Sequence, residues 1–113
     1  MKNRARKLLM NLGVDPALLG YDYLVESVNL CYCDKKYIRN ITKELYPYLA
    51  KQNQTTTSAV ERAIRHAIEK ACQMCPDMRQ KLIICPSYDQ GKYTNSQFIS
   101  ACVEQLKMED ENA

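Results

Sequence analysis

No run of apolar residues in this chain approaches the roughly 20 that a membrane span requires. Its opening, MKNRARKLLMNLG, has neither the apolar stretch nor the small-residue cleavage site of a secretory signal. No membrane association is expected, and the expected location is the cytoplasm. Histidine occurs once, at His66, and no GxSxG, HExxH or paired-carboxylate arrangement accompanies it. Catalysis therefore has no candidate machinery, and the expectation is a non-enzyme with no cofactor. No internal repeat, low-complexity tract or linker-like shift in composition divides the chain.

What is present fits one domain. The chain has 113 residues, of which 46% are hydrophobic, enough for one modest core and too few for two. The domain is expected over residues 1–108, followed by an acidic disordered tail over 109–113. The formal charge of +3 is uneven, because Glu109, Asp110 and Glu111 supply three of the 13 acids. Without them, residues 1–108 carry 16 basic and 10 acidic side chains, or +6. That balance suits a polyanionic partner without requiring one.

The six cysteines, Cys31, Cys33, Cys72, Cys75, Cys85 and Cys102, are expected to stay thiols in a reducing compartment. Cys31-x-Cys33 and Cys72-x-x-Cys75 could together offer four thiolates to zinc. Both pairs lie in helical patterns, where residues two apart point to different faces. The pattern favours small buried hydrophobes over a metal site.

Apolar periodicity yields helix after helix. Ala5, Leu8, Leu9 and Leu12 define a first helix over residues 3–12, stopped by Gly13. Asp15-Pro16 reads as a cap and first turn for a second, which buries Tyr21, Leu24, Val25, Val28, Cys31 and Tyr32 and runs to about Cys33. Asp34 can cap a third segment with Ile38, Ile41 and Leu45 inward, and Pro47 begins a short helix to Gln52. After NQTTT, Ser58-x-x-Glu61 reads as a capping box for a long helix burying Val60, Ile64, Ala67, Ile68 and Ala71. Pro76 ends that helix or opens a short one to about Ile83, and PSYDQGK reads as a loop. Thr94-x-x-Gln97 caps a last helix with Phe98, Ile99, Cys102, Val103 and Leu106 inward, before a frayed acidic end. The fold class is all-α: a compact bundle of about six helices.

Residues 47–73 have the layout of a helix-turn-helix: short helix, brief turn, longer helix. Ala50 is small where the two helices cross, and Val60 is apolar early in the second. Glycine, often used where such a turn becomes left-handed, is replaced by Asn53-Gln54, with asparagine the better tolerated of the two. A DNA-binding motif and a plain helical hairpin with a basic surface both fit this pattern.

The outer face of the long helix carries Ala59, Glu61, Arg62, Arg65, His66, Glu69 and Gln73. In major-groove docking the leading turns of the second helix meet base edges; arginine can fork onto guanine and glutamate can accept from cytosine. Glu61 and Arg62 are placed for this, with Arg65 one turn later. Thr55, Thr56 and Thr57 can set hydroxyls and free helix amides against phosphate. The plainer reading makes Glu61 a cap partner and the arginines solvated charges in weak pairs. His66, beside Arg65, suits a phosphate contact or a polar flank equally well.

ITKELYPYLAKQNQTTTSAVERAIRHAIEKA, with GYDYL before it and YTNSQFI after it, resembles the C-terminal effector domain of the stage-zero sporulation protein A family, regulators of sporulation initiation. The similarity spans residues 8–108. It implies an all-helical, double-stranded-DNA-binding transcription regulator whose helix-turn-helix enters the major groove of a TGTCGAA-like box. It also implies copies in tandem on DNA and contact with an RNA polymerase sigma factor. Glu61 and Arg62 match base-reading positions of the family, Arg65 and His66 match positions at or near the DNA backbone, and Ser58 matches the serine that opens the recognition helix. Ala59 departs from the usual base-reading arginine, whose loss typically costs about 1–3 kcal/mol of discrimination at one base pair; an altered box is expected. Residues 74–92 resemble the family poorly, near the surface that meets sigma factor. The family's N-terminal receiver domain, whose aspartate is phosphorylated, has no counterpart in these 113 residues. Alternatives are a helical protein-interaction module that does not read DNA and a zinc-stabilised structural module.

Overall fold

Leucine spacing makes the first helix amphipathic. In the computed structural model, which describes residues 1–75 and 93–112, α1 (Lys2–Asn11) buries Ala5 and Leu9, and Leu12 completes the stripe. Two bonds close its end: Gly13 N–H donates to the Met10 carbonyl at 3.0 Å and Val14 N–H to that of Leu9 at 3.0 Å. This Schellman closure needs a left-handed residue, and Gly13 has φ of 89°.

Asp15-Pro16 opens a turn instead of a helix. The Asp15 carboxylate accepts from the Ala17 N–H at 2.9 Å, and its carbonyl accepts from Leu18 at 3.1 Å. With these donors satisfied inside the turn, α2 starts only at Leu19 and runs Leu19–Cys33. It is the central helix, burying Tyr21, Tyr23, Leu24, Val25, Val28 and Cys31, and it packs against α1, α5 and α6.

Asp34 caps as expected, accepting from Lys36 N–H at 3.0 Å, and α3 spans Lys35–Arg39. The expected continuous third segment breaks at Asn40 (φ −135°, ψ 58°) and resumes as a π-helical turn, Ile41–Leu45. That wide turn lies just before Pro47, whose ring crowds the carbonyl four residues back and whose nitrogen has no hydrogen to donate. Pro47 then sits in the first turn of α4 (Tyr46–Gln52).

The following turn repeats the closure seen after α1. Thr55 N–H donates to the Ala50 carbonyl at 2.9 Å and Gln54 N–H to that of Lys51 at 3.4 Å. The left-handed residue is Gln54, with φ of 53°, while Asn53 ends α4 with φ of −109°. The substitute for glycine is therefore the glutamine, one position after the asparagine favoured from sequence.

Helix α5 (Thr57–Met74) buries Val60, Ile64, Ala67, Ile68 and Ala71 as its periodicity predicts. Helix α6 (Asn95–Glu111) begins with the expected capping box: Thr94 Oγ1 accepts from Gln97 N–H and Gln97 Oε1 from Thr94 N–H, each at 3.1 Å. The acidic end expected to fray is helical through Glu111. Arg4 holds it from α1, with Nη1 2.6 Å from Asp110 and Nη2 3.2 Å from the Leu106 carbonyl, and the Tyr32 hydroxyl donates to Asp110. The fold is all-α, six helices and one π-helical turn among the described residues. The helix expected after Pro76 and the PSYDQGK loop lie outside those residues.

Cys31 and Cys102 are wholly buried, whereas Cys33 is exposed, as two positions two apart on a helix require. Burial pushes the Cys31 thiol up to about 12 and raises that of Cys102 as well, so both are neutral core groups. Among the described residues, no three His, Cys, Asp or Glu side chains converge as metal ligands, and no helix is long and apolar enough to cross a membrane.

Candidate nucleic-acid interface

The leading end of α5 is set by a single hydroxyl. Thr56 is the N-cap, its Oγ1 accepting from Ala59 N–H at 3.1 Å. The capping box expected of Ser58 and Glu61 is not formed. Ser58 already lies inside the helix, because the α4 closure ends at Thr55 and leaves Thr56 as the first extended residue. Glu61 instead pairs with Arg65 one turn later. Two leading amides, those of Thr57 and Ser58, meet no acceptor among the described residues. They point along the axis at the positive end of an 18-residue helix, where anions are favoured.

Ser58, Arg62, Arg65 and Glu69 follow one another at spacings of three or four and are all exposed, so they form the outward ridge of α5. Glu61 is half-buried on one flank, and His66 is exposed on the other. Ala59 sits half-buried near the helix start, and Thr57 is exposed. Thr55 is half-buried, and its amide is engaged by Ala50. The structure thus brings Ser58, Arg62 and Arg65 onto one stripe with Thr56 and Thr57 at its head. Arg62 Nε donates to the Ser58 carbonyl at 3.4 Å, a long bond. The Glu61–Arg65 pair is exposed, and such pairs contribute about 0.3–0.5 kcal/mol. A phosphate or base could displace it at little cost.

Two residues that hold α5 in place carry no sequence signal of their role. Gly20, in the first turn of α2, lies so close to α5 that a Cβ there would come 2.1 Å from the Ala63 carbonyl oxygen and 2.8 Å from Ala67 Cβ. Asn95 is buried at the start of α6 and donates from Nδ2 to the Tyr46 hydroxyl at 3.0 Å and to the Glu61 carbonyl at 3.1 Å. One amide thereby joins both helices of the motif, fixing α4 against the second turn of α5. Burial raises the Tyr46 hydroxyl above its ordinary value, partly offset by Asn95. Local pattern is blind to these contacts, because the partners lie far apart in the chain.

The arrangement has the parts of a helix-turn-helix reader: a short helix, a closed left-handed turn, and a longer helix with a polar, arginine-bearing ridge. A family model described as Sporulation initiation factor Spo0A C terminal matches residues 5–106. The family is a DNA-binding regulatory domain, not an enzyme family. Nearly the whole chain is covered, and its helical architecture fits. The chain belongs to the family of C-terminal domains of the sporulation initiation factor Spo0A, the DNA-binding, transcription-regulating effector domain of a sporulation response regulator.

Proposed function

We propose that the leading half of α5 reads a TGTCGAA-like box from the major groove of double-stranded DNA. Ser58, Glu61 and Arg62 face base edges; Thr55, Thr56, Thr57, Arg65 and His66 meet the sugar–phosphate backbone. The observation that carries this reading is the exposed ridge of Ser58, Arg62 and Arg65 directly behind two unengaged helix amides. Thr55 contributes through its hydroxyl, since its amide already bonds Ala50. Ala59 offers only a methyl group where the family usually places an arginine, so the proposed box differs from the family's at the base pair that arginine would read. Contact with an RNA polymerase sigma factor and pairing of copies on tandem boxes belong to the same proposal.

The test is a fluorescence-anisotropy titration with a TGTCGAA-type duplex and a scrambled duplex, using wild type, Arg62→Ala and Ala59→Arg. Arg62→Ala is expected to weaken binding to the box by about 5- to 150-fold, the equivalent of about 1–3 kcal/mol, and to affect the scrambled duplex much less. Ala59→Arg is expected to move preference toward the family's box. Equal and weak binding of both duplexes by wild type would refute sequence reading and favour a helical protein-interaction module.

A further inference from the structure

Four exposed cations crowd the segment leading into α4: Lys35, Lys36, Arg39 and Lys43. Among the described residues none of them forms an ion pair, whereas Lys2, Arg4, Arg65 and Lys70 are each matched to a carboxylate. Asp34, the acid nearest in sequence to Lys35, is engaged in capping α3. Lys36 lies 5.1 Å from the centroid of the Tyr37 ring, and that ring packs edge-on against Tyr48 of α4. The segment therefore carries four cations against two exposed acids, Asp34 and Glu44, a net positive charge with no ion pair among the described residues.

Its position relative to α5 is also defined. Arg39 and Thr42 line one wall of an open groove of about 710 Å³, and Glu61, Arg65 and Glu69 of α5 line another. Glu61 is already engaged by Arg65, and Arg39 forms no ion pair with Glu69, the other carboxylate of this groove, among the described residues. When the second helix of a helix-turn-helix occupies the major groove, the first crosses the sugar–phosphate backbone. The chain just before α4 then lies along the strand flanking that groove.

We infer that Arg39 and Lys43 form a second DNA-backbone grip, binding phosphates beside the groove that α5 enters. This rests on the proposal that α5 docks in the major groove. Each phosphate neutralised by a cation releases a condensed counterion, which gives the slope of log K against log salt a contribution of about −0.9. A backbone contact carries no sequence information, so its loss weakens box and scrambled duplexes alike.

The experiment measures anisotropy binding of wild type, Arg39→Gln, Arg39→Gln/Lys43→Gln and Arg62→Ala to both duplexes across roughly 50–200 mM salt, with circular dichroism checking the fold. The salt slope is expected to become shallower by about 0.9 in the single variant and about 1.8 in the double variant, with the box-to-scramble ratio unchanged. Slopes unchanged in a folded double variant, while Arg62→Ala still lowers box binding, would overturn the backbone grip and leave the function standing. A lost box preference in Arg39→Gln would also overturn it, by assigning Arg39 to base reading. Absence of DNA binding by wild type would overturn both.

Discussion

Gln54 carries the strain of the motif's turn. A left-handed conformation costs a residue with a side chain about 1–2 kcal/mol, and at φ of 53° Gln54 bears that cost so that Thr55 can close on Ala50. Glycine would remove the steric term but give back about 0.5–1 kcal/mol in unfolded-state entropy. Gln54→Gly is therefore expected to stabilise the domain by about 0.5–1 kcal/mol, read as a rise of a few degrees in thermal unfolding. No change, or a loss, would mean that the turn is held by the glutamine side chain. The same scale explains why the cap is Thr56 and not Ser58. Thr55, Thr56, Thr57 and Ser58 all have a cap-competent hydroxyl, and only the length of the turn selects Thr56.

At the scale of elements, the position of α5 depends on two close contacts. Alanine normally gains over glycine inside a helix, but at Gly20 its methyl would meet the Ala63 backbone carbonyl. Overpacking of this kind costs about 1–3 kcal/mol, so Gly20→Ala is expected to destabilise, measurable as a lower urea midpoint. A neutral or stabilising result would show that α2 and α5 can separate freely. The second contact is the bridge from Asn95. Asn95→Ala would remove the bond to the second lone pair of the Glu61 carbonyl and leave the buried Tyr46 hydroxyl without its Asn95 partner, at a cost of about 1–3 kcal/mol. Hydrogen exchange is expected to show faster opening at the α4–α5 junction than in the rest of α5; uniform exchange would deny Asn95 its pinning role.

Across the whole molecule, the two ends of the described fold are tied together by charge. Arg4 of α1 meets Glu109 and Asp110 of α6, and Tyr32 of α2 donates to the same Asp110 carboxylate. The Tyr32 hydrogen bond, followed by Arg4, holds the Asp110 carboxyl below its ordinary value of 3.8. A carboxyl depressed in the fold adds stability above that ordinary value, and the addition is lost as pH falls through the lower, folded one. Asp110→Ala is therefore expected to unfold at lower urea than wild type at neutral pH, with the two converging below about pH 4. A gap that persists into strong acid would trace the effect to packing. Lys70 and Asp15 make a comparable but longer link, 3.5 Å, from α5 to the turn before α2.

Sequence alone determined whatever depends on neighbours one helical turn apart. The buried stripe Val60, Ile64, Ala67, Ile68 and Ala71, the Asp34 cap, the start at Pro47 and the Thr94–Gln97 box follow from periodicity and short-range hydrogen bonding. A resemblance over the run from ITKELYP to AIEKA indicated the family, and the ridge of Ser58, Arg62 and Arg65 was legible as the polar face of one helix. Tertiary structure decided the long-range contacts. The helical end at Glu111 and the seating of α5 by Gly20 and Asn95 depend on contacts between residues far apart in the chain, while the late start of α2 and the break at Asn40 come from short-range bonding that apolar periodicity does not register. A bond from Asn95 to a carbonyl 34 residues earlier has no periodicity to announce it. It exists because the buried Asn95 amide needs acceptors, and the packed fold brings it within reach of both the Tyr46 hydroxyl and the second lone pair of the Glu61 carbonyl.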